Sequence, residues 1–122
     1  MDFGSYIAEL RDQKGLSLRE LEKRADDLNH VYIWRLEKGD RDAPSEATVE
    51  KLSKALELTT RERYVLALLL KADIDDTLYE VIKAHPDMAI DDIEPVATMS
   101  FRGNRPTDQA GWLKLIDMVK SF

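Results

Sequence analysis

The chain has 122 residues, with 18 Lys or Arg against 24 Asp or Glu, which gives a formal net charge of −6 at pH 7. Hydrophobic residues make up 43% and charged residues 34%, a balance that excludes a disordered chain and predicts a small globular protein. The sequence has no cysteine, which excludes disulfides and thiolate metal sites. No apolar run approaches the roughly 20 residues of a membrane span, and the N-terminus lacks the pattern of a signal peptide. We therefore expect a cytoplasmic protein with no membrane partner.

The acidic charge lies mostly in the second part of the chain. Residues 1–71 contain 13 Lys or Arg and 14 Asp or Glu, whereas residues 72–122 contain 5 and 10. Binding of a phosphate backbone requires local positive charge, so an acidic surface argues against a nucleic-acid partner. That objection applies to the second part much more than to the first. This change in the charge balance near residue 71 predicts a nearly neutral domain over 3–72 and an acidic helical segment over 73–122.

Two helices with clear end signals open the chain. Apolar residues at helical spacing predict a first helix over 3–13, and Gly15 suits the left-handed position that follows a helix. Ser17 and Glu20 form the S-x-x-E pattern of a capping box, which predicts that a second helix begins at residue 18. The two helices are therefore joined by a tight connection.

A third helix follows after a turn at 26–29. Asn29 is its predicted N-cap, and the predicted helix over 30–37 directs Ile33 and Leu36 inward. Two short helices joined by a tight turn have the spacing of a helix-turn-helix unit.

Two further helices complete the first part. Pro44 and Ser45 open the fourth, and Thr59 or Thr60 opens the fifth. Residues 65–70 of the fifth helix are apolar on all sides, which predicts burial on more than one face. Either the C-terminal segment or a second copy of the chain must cover them.

The C-terminal segment is predicted to form three helices. Two of them cover about 75–85 and 87–101, and Thr107 or Asp108 caps the last. The basic loop 102–106 between them is either a second phosphate contact or a turn whose arginines pair with nearby acids. We expect the segment to cover the fifth helix and to contribute to a dimer interface.

Several short blocks in the first part resemble a known family. They are Leu10-Arg11, Lys14-Gly15-Leu16-Ser17, Glu20-Leu21, Tyr32-Ile33-x-Arg35-Leu36-Glu37-x-Gly39 and Pro44. Over about residues 3–70 their order and spacing are similar to those of the Cro/phage-repressor, or XRE-type, helix-turn-helix regulators. The resemblance implies an all-α fold, with a five-helix lambda-repressor-like DNA-binding domain followed by a small helical segment.

The resemblance also implies roles for individual residues. It implies that the third helix, the recognition helix, lies in the major groove of DNA. The residues that would read base edges are His30, Val31 and Arg35. The residues that would contact the DNA backbone are Ser17, Arg19, Asn29, Tyr32, Trp34, Lys38 and Arg41. The family further pairs an arginine of the first helix with the glutamate of the Glu-x-Gly block, which here makes a structural ion pair of Arg11 and Glu37.

The chemistry of these residues suits the implied roles. An arginine such as Arg35 can donate two hydrogen bonds to O6 and N7 of guanine, and His30 can donate to or accept from a base edge. The N–H groups at a helix start bind phosphate without sequence preference. Each role also has an alternative: a solvated surface position for Arg35, packing on a helix or protein partner for Trp34, and a polar first-turn residue for His30.

Two features depart from the family pattern. The turn at 25–29 is one residue longer than usual and carries Asp26 and Asp27 where glycine is common. Glu22 stands where a small alanine usually packs under the recognition helix. Either the second helix rotates slightly, or the Glu22 side chain lies at the rim of the unit.

We do not expect an enzyme. The two histidines, His30 and His85, are far apart in the sequence, which has neither an HExxH pattern nor a glycine-rich phosphate loop. The acidic run at 73–76 lacks the glycine and the glutamate of a calcium loop. We therefore expect no catalytic residues, no metal site and no cofactor.

The sequence thus predicts a DNA-binding transcriptional regulator that acts as a repressor. We expect a homodimer that reads a palindromic operator in double-stranded DNA, with half-sites about one helical turn apart. The family resemblance further implies a candidate protein partner, a toxin or a metallopeptidase. The alternative hypothesis is a protein-interaction module, such as an antitoxin, that keeps the fold and binds protein through Tyr32 and Trp34.

Overall fold

The computed structural model describes residues 1–40 and 43–122. Within these residues the chain forms eight α-helices and no strand, in agreement with the expected all-α class. The helices are α1 (Phe3–Gln13), α2 (Leu18–Arg24), α3 (His30–Lys38), α4 (Glu46–Ala55), α5 (Thr60–Lys71), α6 (Asp76–Ala84), α7 (Ile90–Ala97) and α8 (Gln109–Lys120).

The connection between α1 and α2 is built from the two predicted end signals. Gly15 has a φ of 67°, and the N–H of Leu16 beyond it donates to the Arg11 carbonyl at 3.1 Å. This pattern ends α1 in a left-handed cap. Ser17 and Glu20 then form a reciprocal capping box, with hydrogen bonds of 3.1 and 3.2 Å, that begins α2.

The turn between α2 and α3 holds two aspartates in the left-handed region. Asp26 has a φ of 52° and Asp27 a φ of 60°. Aspartate tolerates this conformation better than most residues other than glycine. Asn29 then begins α3, because its Oδ1 accepts the Val31 N–H at 2.8 Å. The long acidic turn is therefore compatible with a helix-turn-helix unit without a glycine.

The crossing of α1 and α3 depends on Gly4. A Cβ atom at this position would lie 2.1 Å from the carbonyl oxygen of Leu36, so only glycine fits the close approach. In the core, Ile7 of α1 and Ile33 of α3 have no exposed surface. The crossing thereby holds α3 against the body of the first part.

The C-terminal segment packs directly on the first part. The backbones of Met1 and Ile74 exchange two hydrogen bonds, of 2.7 and 2.8 Å. Tyr6 of α1 and Tyr79 of α6 meet edge to face with ring centroids 6.1 Å apart. A continuous core of buried side chains runs through both parts of the chain.

The apolar helix α5 is covered by the C-terminal segment, the first of the two predicted covers. α5 packs against α1 on one side and α7 on another. Two large side chains of α5 remain outside this core, since Tyr64 is 55% and Leu70 39% exposed. The side chains of α5 that are buried are Val65, Leu66, Leu68 and Leu69.

The seventh helix is shorter than predicted. The sequence predicts a helix over 87–101, whereas α7 spans Ile90–Ala97. Its start is delayed because the guanidinium group of Arg61 on α5 donates to the backbone carbonyls of His85 and Met88. These bonds hold the preceding residues in a turn, and the chain becomes helical only after it.

Candidate nucleic-acid interface

α3 presents one exposed face to solvent. Val31 and Trp34 are 46% and 44% exposed, and Arg35 and Lys38 are exposed as well. These residues are three or four positions apart along the helix, so they lie on the same face. We call Val31, Trp34, Arg35 and Lys38 the α3 stripe.

The two aromatic residues of α3 differ in exposure. The helix turns Ile33 and Leu36 into the core, and this phase brings Trp34 outward, beside Val31. Tyr32 is half-buried and packs against the core. Of the two aromatic side chains, Trp34 is therefore the more exposed.

An ion pair ties the end of α3 to α1. Nε and Nη2 of Arg11 donate to the two carboxylate oxygens of Glu37 at 2.7 and 2.9 Å, and Nη1 donates to the Leu16 carbonyl at 2.9 Å. Only 5% of the Glu37 side chain is exposed. Hydrogen bonding to this carboxylate raises the pKa of Arg11 above its usual value. The ion pair that the resemblance implies is thus formed, and its two hydrogen bonds fix the orientation of α3 relative to α1.

A second contact holds the start of α3. Oε1 of Glu22 accepts the backbone N–H of His30 at 2.7 Å and lies 3.0 Å from Nδ1 of the imidazole ring. The hydrogen bond from the His30 side chain lowers the pKa of Glu22, so the carboxylate is ionised at neutral pH. Glu22 therefore lies at the rim of the unit, where it acts as an additional cap of α3. This role is not predicted from the sequence.

The backbone N–H groups at the start of α3 are already occupied. Those of Val31 and Tyr32 point to Oδ1 of Asn29 at 2.8 and 3.4 Å, and that of His30 points to Glu22. Groups that side chains satisfy in this way are not free for an anion. The general expectation that a helix start binds phosphate therefore does not hold for these three groups, although Asn29 can still donate through its side-chain NH₂.

The other predicted backbone contacts lie at the start of α2 and at the end of α3. Ser17 Oγ accepts the Glu20 N–H at 3.1 Å through a lone pair, which leaves the hydroxyl hydrogen to donate. Arg19 is exposed, as is Lys38 at the end of the α3 stripe. Arg41, the remaining predicted contact, lies outside the described residues.

A family model described as a helix-turn-helix domain matches residues 2–66. The chain belongs to this helix-turn-helix family. The matched range includes the Arg11–Glu37 pair and the α3 stripe, and it agrees with the resemblance found in the sequence. Among curated proteins, no sequence matches the chain at a significant level. The helix-turn-helix domain indicates a DNA-binding regulator.

Negative charges stand close to the basic residues of the helix-turn-helix domain. A hydrogen bond from the Ser17 backbone lowers the pKa of Glu20, so α2 carries ionised carboxylates at both Glu20 and Glu22. Arg19 precedes them on the same helix. The potential around α2 is therefore mixed.

An arginine of the basic loop 102–106 contacts neighbouring side chains of the same chain. Nη1 of Arg105 lies 3.8 Å from a carboxylate oxygen of Asp75. The Arg105 guanidinium also lies over the Phe101 ring, 5.2 Å from its centroid. These contacts favour the turn alternative over a second phosphate contact.

The described part of the helix-turn-helix protein offers neither a metal cluster nor a membrane-spanning helix. Within residues 1–40 and 43–122, the acidic and histidine side chains form no group of three that could hold a metal ion. In the same ranges, each helix is too short or too polar to cross a membrane.

Proposed function

We propose that this helix-turn-helix protein is an XRE-type transcriptional repressor that binds double-stranded DNA as a homodimer. The observation that carries the proposal is the α3 stripe, an exposed helix face that holds Arg35 and Lys38 and is tied to α1 by the Arg11–Glu37 pair. In a two-fold dimer the two stripes enter successive major grooves, about one helical turn apart. The operator is accordingly a palindrome.

The residues of the stripe have different tasks in the proposed complex. Arg35 donates two hydrogen bonds to guanine, an interaction that discriminates against other bases by about 1–3 kcal/mol. Val31 packs on the methyl group of thymine. Trp34 contacts sugar and phosphate, and Lys38 at the end of the stripe binds phosphate.

Phosphate contacts outside the stripe come from the start of α2 and from the turn. Ser17, Arg19 and Asn29 supply hydroxyl, guanidinium and amide donors there. Because residues 1–71 hold 13 basic and 14 acidic residues, we expect weak binding to DNA of unrelated sequence. Specific binding depends on the base contacts and on the doubling of all contacts in the dimer.

The proposal includes protein contacts but no chemical step. The C-terminal segment contributes to the dimer interface, and exposed apolar side chains are available at Tyr64, Leu70 and Met118. A toxin or a metallopeptidase is the candidate partner, and the protein acts in the cytoplasm. We propose no catalytic activity and no cofactor.

A selection for bound DNA, followed by affinity measurements over a range of salt concentrations, tests the proposal. The Arg35→Ala variant should lose about 10- to 100-fold in specific affinity and should relax one base preference in each half-site. The Lys38→Ala variant should weaken binding to all sequences about equally and should reduce the salt dependence. Arg63→Ala is the matched control, because Arg63 is a surface arginine of α5 that pairs with Glu50, away from the stripe.

Two results would contradict the proposal. Unchanged affinity and base preference in the Arg35→Ala variant would contradict the proposal that the α3 stripe recognises DNA sequence. A single copy of the chain on each selected DNA site, measured by sedimentation, would contradict both the proposed dimer and the proposed palindromic operator.

The second candidate function is capture of a protein by the same face. It is favoured by the apolar part of the stripe, because Val31 and Trp34 are each more than two-fifths exposed, and exposed aromatic residues are typical of protein interfaces. Tyr32, beside them, is half-buried. Binding of a protein that depends little on salt and is lost in the Trp34→Ala variant, together with no binding to DNA, would favour this function.

A further inference from the structure

One carboxylate oxygen of the helix-turn-helix unit contacts the same residue twice. Oε1 of Glu22 lies 2.7 Å from the backbone nitrogen and 3.0 Å from the ring Nδ1 of His30. An ionised carboxylate accepts hydrogen bonds and donates none. The contact with the ring therefore requires the imidazole proton to be on Nδ1.

The protonation of Nδ1 determines whether Nε2 of the neutral ring accepts or donates a hydrogen bond. In a neutral imidazole with its proton on Nδ1, Nε2 carries a lone pair and is an acceptor. The covalent geometry of the ring places Nε2 further from the backbone than Nδ1, and 29% of the His30 side chain is exposed. His30 is also the first residue of α3, and the first residues of a recognition helix contact base edges.

We propose that Glu22 is a positioning residue that holds His30 in the Nδ1–H tautomer, so that Nε2 accepts a hydrogen bond from a base amino group. In the major groove these amino groups are N6 of adenine and N4 of cytosine, whereas guanine and thymine present oxygen acceptors at the corresponding place. Glu22 thereby makes His30 select adenine or cytosine at the one position of each half-site that it faces. The base selection rests on the proposed function, whereas the tautomer does not.

The surroundings of the pair favour an ionised Glu22 carboxylate and therefore a proton on Nδ1. Arg19, which precedes Glu22 by almost one turn of α2, favours the ionised form of the Glu22 carboxylate. The backbone N–H of His30 adds a second donor to the same oxygen. A neutral phosphate-binding role for His30 is disfavoured, because a phosphate oxygen and the Nε2 lone pair are both acceptors.

The first experiment needs no DNA. The full chain is labelled with ¹⁵N, and long-range ¹H–¹⁵N spectra in alkaline buffer show which ring nitrogen carries the proton. The chain has two histidines, and the His85→Asn variant assigns the signals of His30. We expect the proton on Nδ1 in the unmodified chain and a mixture of tautomers in the Glu22→Gln variant, because a glutamine amide can accept from or donate to Nδ1. A His30 ring that carries its proton mainly on Nε2 in the unmodified chain would overturn the proposal.

The second experiment compares DNA selected by the unmodified chain with DNA selected by variants. We expect about a five-fold preference for adenine or cytosine at one position of each half-site, the effect of one hydrogen bond. The preference should vanish in the His30→Ala variant and weaken in Glu22→Gln. Glu20→Gln is the matched control, since it removes the same charge from α2 at a carboxylate that also accepts a helix-start N–H, yet it should leave the preference intact.

The outcomes separate the inference from the proposed function. An unchanged preference in the His30→Ala variant overturns the base selection while the DNA-binding function stands. If the chain binds no DNA, the base selection fails together with the proposed function, and the NMR spectra alone then decide whether Glu22 sets the tautomer.

Discussion

Replacement of Gly4 by alanine should destabilise the protein strongly, because this residue sets the distance between α1 and α3. The added Cβ atom would lie 2.1 Å from the carbonyl oxygen of Leu36 and 3.0 Å from that of Glu37. Carbon and oxygen atoms normally approach to about 3.3 Å, so the two helices would have to separate by about 1 Å. Both oxygen atoms belong to the backbone, and neither can rotate away.

The expected cost follows from the groups that this separation disturbs. The Arg11–Glu37 hydrogen bonds of 2.7 and 2.9 Å span the same two helices, and the fully buried Ile7 and Ile33 are part of the core between them. Overpacking of a core costs about 1–3 kcal/mol, and stretching of the ion pair adds to this. The higher helix propensity of alanine offsets about 1 kcal/mol. We therefore expect Gly4→Ala to lower the free energy of unfolding by about 2 kcal/mol.

Urea unfolding, followed by far-ultraviolet circular dichroism, measures this change as a shift of the midpoint at constant slope. Two controls separate the clash from a general effect of alanine. Ser5→Ala alters the next residue of α1, which is exposed, and Gly103→Ala adds a Cβ atom to open space; both should lie within about 0.5 kcal/mol of the unmodified chain. A Gly4→Ala variant within the same margin would refute the argument that the α1–α3 distance depends on this glycine.

Three further predictions concern stability. Arg11→Met should lower the free energy of unfolding by about 3 kcal/mol, because it leaves the buried Glu37 carboxylate without its partner, and the double variant with Glu37→Met should recover most of this loss in a double-mutant cycle. Glu57→Gly should raise the free energy of unfolding by about 0.5–1 kcal/mol, since Glu57 has a φ of 53°, whereas Glu57→Ala should give no such gain in the same urea assay. Asp75→Ala removes the N-cap of α6 and should cost about 1 kcal/mol at pH 7. A hydrogen bond from Thr77 lowers the pKa of Asp75 in the folded state, so its contribution is present above the unfolded pKa of about 3.9. The difference between Asp75→Ala and the unmodified chain should therefore shrink as the pH of the urea titration falls below about 4; a constant difference would refute the charge-dependent part of the cap.

The ends of the first three helices could be predicted because their signals are local. Gly15, the capping box of Ser17 and Glu20, and the N-cap Asn29 each act on backbone groups no more than five residues away. The observed bounds of α1 and α3, and the start of α2, agree with the predicted ones to within one residue. Sequence patterns describe such short-range hydrogen bonds directly.

The bounds of α7 could not be predicted, because distant residues determine them. Arg61, which fixes the turn before α7, lies 24 positions before His85 and 27 before Met88. After α7 the chain turns back so that Phe101 packs edge to face on Trp112, with centroids 6.0 Å apart. Helical periodicity over 87–101 contains no information about either contact.

The candidate site shows the same division between local and distant causes. The resemblance supplied Arg11 and Glu37 as a pair, although 26 positions separate them. It could only mark Glu22 as unusual, because the contact between Glu22 and His30 depends on the path of the turn. Asp26 and Asp27 are both in the left-handed region there, and this turn brings the start of α3 back to α2.

The occupied start of α3 and the nearly neutral charge of the first part have a common consequence for DNA binding. The side chains of Glu22 and Asn29 accept hydrogen bonds from N–H groups at the start of α3, where other helices bind phosphate. Residues 1–71 also contain about as many acidic as basic residues. In the proposed complex, phosphate is therefore bound by side chains: the neutral donors of Ser17 and Asn29, and the cations of Arg19 and Lys38. Each cation releases counterions, and its contribution is weakened by salt. Since these cations are few, binding to unrelated DNA should be weak, and base contacts from the α3 stripe should contribute an unusually large share of the affinity for the operator. A dimer that binds in this way gains its selectivity from low background affinity more than from a high affinity for its own site.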